Sequence, residues 1–149
     1  MHKRLVVALV GLLALWVWRP FRSDEQLQIL NRVWISHLPG DEHDAIDVLV
    51  LYANQDAGIF QTASAYRGEF DRFAFSRQQD TLDVRLLQDG RRSRVRYRVT
   101  RECRPGFDWC LTLEGAPRGP RDYFSRHEWE TEQPNESQAV VVGLFKPTR

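Results

Sequence analysis

The chain has 149 residues, 42% of them hydrophobic and 28% charged, with 21 basic against 20 acidic side chains and a formal net charge of +1. That apolar content suffices for one sizeable core, so a single folded domain is expected rather than a disordered tract. The near-neutral balance calls for no nucleic-acid partner.

The charge is unevenly placed. Four of the basic residues and none of the acids fall in positions 1–22, which leaves 17 minus 20, or −3, for the rest. His2, Lys3 and Arg4 precede the uncharged apolar run Leu5 to Trp18. As a helix this run covers roughly 21 Å of a hydrocarbon core about 30 Å thick, which extension to Phe21 with Arg19 snorkelling would lengthen. No small-x-small cleavage site follows it, and Trp16 and Trp18 suit a membrane interface. Residues 1–22 are therefore expected to be a signal-anchor, with a cleaved signal peptide as the alternative. Residues 23–149 then form one β-rich domain facing the periplasm from a single-pass inner-membrane protein, or a secreted or periplasmic one after cleavage.

Ser23-Asp24-Glu25-Gln26 has the form of a capping box, and Leu27, Leu30 and Trp34 recur at helical spacing. A short amphipathic helix is expected through Arg32 or Val33. Beyond the turn at Pro39-Gly40 the period becomes alternating, with strands expected at about 45–53, 58–67, 69–77, 81–88, 93–103, 109–114, 122–129 and 139–145. The short connections leave no room for crossover helices, so the fold class is mostly β: about eight antiparallel strands in a small barrel or sandwich. If Asp89-Gly90 is a two-residue turn, Leu86 opposes Ser93, Val84 opposes Val95 and Leu82 opposes Tyr97 on one face, while Asp83 meets Arg96 on the other. Phe70, Phe73 and Phe75 change parity, which predicts a bulge near Asp71.

Cys103 and Cys110 bracket Arg104-Pro105-Gly106-Phe107-Asp108-Trp109. Their spacing matches neither a zinc knuckle nor a thioredoxin-like site. A disulfide across a hairpin is expected, with Pro105 to Asp108 as the turn and Cys103 opposite Cys110. One conflict arises: placing both cysteines inward with Val95, Tyr97 and Val99 would turn Trp109, Leu111 and Leu113 outward. A bulge beside the turn would remove it. A disulfide also implies an oxidising compartment, in agreement with export.

Arg92, Arg94, Arg96 and Arg98 alternate along one side of a strand and are candidates for contact with an anionic surface or an acidic partner, against the alternative of a solvated, salt-laced face. His37, Asp41, Glu42, His43 and Asp44 share a loop, but without a metal-ligand signature no metal is assigned. Asp122, Ser125 and His127 include acid, nucleophile and base types, yet lack a nucleophile elbow, so no catalytic residue is assigned and the chain is read as a non-enzyme. Trp34, Tyr52, Phe60, Phe73, Phe75, Tyr97 and Trp129 are candidates to line a cavity for a small apolar ligand; aromatic side chains equally fill solid cores. No cofactor is expected.

The tryptophan of Asn31-Arg32-Val33-Trp34, ahead of a run of short antiparallel strands over about residues 27–145, loosely resembles the lipocalin and calycin superfamily. The glycine that this family places two residues before the tryptophan is here Arg32. The resemblance implies a barrel that holds a small hydrophobic ligand, without assigning that role to named residues. The function expected is thus a membrane-tethered envelope domain that binds a small apolar ligand, or else one that associates with another envelope protein.

Overall fold

The computed structural model describes residues 28–131. Eight antiparallel strands close into a barrel in chain order: β1 (Val33–Ile35), β2 (Ile46–Tyr52), β3 (Ala57–Ala63), β4 (Gly68–Gln78), β5 (Thr81–Leu86), β6 (Arg92–Arg104), β7 (Phe107–Glu114) and β8 (Asp122–Ser125). A single 3-10 turn, His127–Trp129, follows. Among the described residues no helix is long and apolar enough to cross a membrane. The run Leu5 to Trp18 and the strand expected at 139–145 lie outside the described residues.

The strands β2 to β8 occupy seven of the eight expected positions. The remaining strand of the barrel is β1, where a helix was expected to end. Residues 28–30 turn, Asn31 takes a left-handed φ of 51°, and Val33–Ile35 pair with Val48–Val50 of β2. Over residues 28–33 the helical reading is therefore corrected. Within its apolar spacing, Leu30 packs against the core from the entry turn and Trp34 points inward from the strand, while Ile29, outside that spacing, is buried beside them. The Trp34 indole N–H donates to the carbonyl of Ile29 at 3.0 Å, fixing this entry turn on the barrel.

Two hairpin registers also differ from expectation. In the β5–β6 hairpin, Leu82 opposes Val95 and Val84 opposes Ser93, a slip of two residues. Asp89-Gly90 is part of a longer loop closed by the Leu86 amide on the Arg91 carbonyl at 2.9 Å, with Gly90 at a φ of 72°. A two-residue slip preserves parity, so Leu82, Val84, Val95 and Tyr97 still face the core. The bulge expected near Asp71 is absent: β4 pairs with β3 in continuous register from Gly68 to Ala74. Phe70 resolves the parity change by pointing outward, 56% exposed.

At the cysteine hairpin the turn is the two residues Pro105-Gly106, with Gly106 at a φ of 84° and Arg104 opposite Phe107. Glycine supplies the positive φ that this turn needs. A bulge falls between Arg101 and Arg104, with Glu102 at a φ of 50°. It puts Trp109, Leu111 and Leu113 in the core and Cys110 opposite Thr100 on the outer side. Cys103 and Cys110 still lie at disulfide-bonding distance, with Cα atoms 6.1 Å apart.

The interior is filled by side chains. Phe60 and Phe73 meet at 4.6 Å between ring centroids, and the Phe73 ring lies so close to Gly58 that a methyl group there would fall 2.3 Å from it. Ile29 and Leu30 cover the core where the chain enters, and Ala116 covers it at the opposite end. We call these the entry end, with turns at 53–56, 79–80, 105–106 and 126–131, and the far end, with loops 36–45, 64–67, 87–91 and 115–121.

Candidate functional site

Alternation along β6 sends Val95, Tyr97 and Val99 into the core and leaves Arg92, Arg94, Arg96 and Arg98 exposed on the outer face. The neighbouring strands extend that face. Ala74 and Ser76 of β4 lie opposite Arg85 and Asp83 of β5, which in turn lie opposite Arg92 and Arg94. An open groove of about 720 Å³ lies along these three strands, lined by Ala74, Ser76, Asp83, Arg85, Arg92 and Arg94 among others.

Among the described residues one arginine of this groove is neutralised: Arg94 Nε donates to Asp83 Oδ1 at 3.0 Å. Arg85 and Arg92 are exposed, directly opposite each other, and without a carboxylate partner among the described residues. Like charges in cross-strand register are mutually destabilising unless an anion lies between them. Arg72 continues the positive face on β4, and Phe70 and Leu87, 56% and 48% exposed, border it with apolar surface. Cationic side chains flanked by exposed apolar ones make a surface complementary to an acidic protein segment with apolar neighbours.

A second cluster lies at the entry end, where β6, β7 and β8 converge. Arg32 points inward beneath it and is 1% exposed. Its guanidinium donates to the Arg126 carbonyl at 2.6 Å, to Gln28 Oε1 at 3.2 Å and to Glu130, and sits 5.5 Å over the Trp109 ring. Burial lowers the pKa of Arg32, and Glu130 opposes that shift. Arg101 covers Trp109 at 4.5 Å, Arg104 covers Phe124 at 4.7 Å, and Arg126 lies 5.8 Å from Phe107 and 5.4 Å from Trp129. These contacts bring together residues from three strands and a turn, and no pattern within one strand signals them. Only the abundance of arginine and aromatic residues between positions 101 and 129 hinted at them.

Of the aromatic candidates for a ligand cavity, Trp34, Phe60, Phe73, Phe75 and Tyr97 fill the core, joined there by Tyr123 and Trp109. Tyr97 also donates its hydroxyl to the Gln79 carbonyl at 2.7 Å, and burial raises its pKa. Tyr52 and Trp129 stand outside this cluster, half-buried; burial raises the pKa of Tyr52, and Trp129 packs near Val33 and Ile35 on the outer side of β1.

The polar groups of the 36–45 loop bind one another. His37 Nε2 lies 3.1 Å from Asp44 Oδ1, while Asp41 accepts the amides of His43 and Asp44. The Gly40 amide, then His37, lowers the pKa of Asp44. Among the described residues, no group of three or more His, Cys, Asp or Glu is placed to hold a metal ion.

Asp122, Ser125 and His127 are engaged separately. Thr112 donates to Asp122 at 2.9 Å, buried Ser125 donates to the Val33 carbonyl at 2.7 Å, and the His127 amide donates to Asp108 at 2.7 Å. Ser125 thus fastens the β1–β8 seam, where Ile35 opposite Phe124 is the one strand pairing. No family model, curated protein or solved structure matches the chain.

Proposed function

We propose that the barrel is a non-enzymatic interaction module, tethered to the membrane by its N-terminal apolar segment, that holds an acidic protein partner across the outer face of β4, β5 and β6. The observation that carries this reading is the exposed pair Arg85 and Arg92, opposed in register with no carboxylate between them. Such a pair is relieved when a partner supplies the anion, and Phe70 and Leu87 offer apolar contact beside it. The filled interior supports recognition on the outside of the barrel over recognition within it. An extracytoplasmic location is supported by the apolar run behind Lys3 and Arg4 and by the cysteine pair, which we take to form a disulfide.

Photo-crosslinking in living cells tests the reading. A photoreactive residue at Ser76 or Arg96 is expected to give one discrete adduct with another protein, while the same residue at Asp122, exposed on the outer side of β8, gives none. The double variant R85E/R92E should reduce the adduct at least about tenfold, since reversing two charges opposes an acidic partner. Equal labelling from all three positions, or an adduct indifferent to the charge reversal, would remove the proposal.

A further inference from the structure

We infer that the entry end docks on the anionic phospholipid surface of the membrane that holds the N-terminal segment, with Arg101, Arg104 and Arg126 contacting lipid phosphates. The inference shares the tether of the proposed function but concerns a different face of the barrel.

The first support is the state of these guanidinium groups. Each lies over an aromatic ring, and none has a carboxylate partner among the described residues. Stacking holds the guanidinium plane while leaving its in-plane N–H donors available, the arrangement suited to bidentate phosphate binding. Arg126 spends only Nε within the barrel, on the Gly106 carbonyl at 3.0 Å. At the far end Arg91, Arg118 and Arg121 are paired with carboxylates, while Arg67 has no carboxylate partner among the described residues.

The second support is position. Gln28, bonded to Arg32, is where the described chain begins, and nine residues separate it from Trp18 at the end of the apolar run. Fully extended, that connection spans at most roughly 35 Å, so a membrane-embedded run keeps the entry end close to the headgroups. The half-buried rings of Phe124 and Trp129 beside the arginines are of the kind that settles at such an interface.

Four carboxylates lie beside these arginines, and Asp56 and Asp80 stand exposed in the other turns of the entry end. Glu130 is committed to Arg32 and Asp108 to the His127 amide, whereas Glu102 and Glu128 are exposed and limit the attraction.

The test is hydrogen exchange of the full chain in lipid nanodiscs of phosphatidylcholine alone and with added phosphatidylglycerol. Amides of residues 104–109 and 126–130 should exchange more slowly in the anionic discs, with the loops 87–91 and 115–121 unchanged, and raised salt should erase the difference. In R101Q/R104Q the preference for anionic discs should fall by about fivefold per arginine removed. Retention of the parent melting temperature would show that the variant still folds; R104E alone serves if the double variant does not.

Equal exchange in the two lipids, protection confined to the far end, or failure of the chain to enter the discs would overturn the inference. Crosslinking from Ser76 and Arg96 is independent of lipid charge. An adduct there without lipid dependence at the entry end would leave the partner reading standing and remove this one.

Discussion

The two ends of the barrel are each closed by an arginine, and they use it differently. At the entry end Arg32 is buried, stacked on Trp109, and bonded to a backbone carbonyl, an amide oxygen and a carboxylate. At the far end Arg118, 32% exposed in its side chain, reaches Asp71 and Glu69 from the 115–121 loop. The first is a structural plug whose guanidinium also supports ring packing. The second is a surface ion pair in partial contact with water, where screening and side-chain entropy offset most of the attraction. Equal residue types thus make unequal contributions, because burial decides what the loss of a hydrogen bond costs.

Substitutions at the two ends sharpen this contrast. Arg32→Ala should have the largest effect, about 3–4 kcal/mol in urea unfolding, because it removes a buried side chain with all its bonds and leaves the Arg126 carbonyl without that donor. A loss below about 1 kcal/mol would show that the seam stands without it. Cys103→Ser with Cys110→Ser, also at the entry end, should cost about 2.5 kcal/mol by loop entropy, and reductant should reproduce the loss in the parent protein. If reductant leaves the parent unchanged, the two thiols are not bonded to each other.

Far-end changes should be smaller. Arg118→Ala is expected to cost about 1 kcal/mol or less and to lose even that in high salt. Tyr123→Phe should be near neutral or slightly stabilising, because the phenol oxygen is buried with no hydrogen-bond partner among the described residues.

The same burial, with a smaller contribution from Asp47, raises the Tyr123 pKa far above its ordinary value. A raised folded pKa means that the stability held below the unfolded value of about 10 is lost as pH climbs above it, since the unfolded chain releases the proton first. Unfolding titrations above that pH should therefore fall less steeply in Tyr123→Phe than in the parent. Parallel curves would place the alkaline loss on other groups.

Alternation made β2 to β8 legible, because each has one face in the core and one in water. It failed at β1, three residues long, where Leu27, Leu30 and Trp34 mimic a helical stripe and Asn31 adopts a conformation that spacing does not register. Registers were less accessible than faces. The loop after Leu86 and the turn at Pro105-Gly106 each admit more than one closure, and only the packing of the completed barrel selects between them. The conflict between the cysteine and tryptophan parities did call for a bulge, and Glu102 provides it.

The outward arginines of β6 could be read from the chain for the same reason as the strand itself. Their opposition to Arg85 required the register, which the sequence misplaced by two residues, and the stacking of Arg101, Arg104 and Arg126 required strands to meet in space. The bulge expected near Asp71 rested on Phe70 sharing a face with Phe73 and Phe75; Phe70 instead stands outward beside the cationic groove.

The seam between β1 and β8 joins the first strand to the last, with Arg32 and Ser125 reaching across it. A nascent chain that has not yet supplied Ser125 is consequently an unclosed meander with two unsatisfied margins, and such margins recruit other strands. Biogenesis therefore has a vulnerable interval that ends only once β8 has been made, and a chaperone acting on this molecule would be needed until that last strand is supplied.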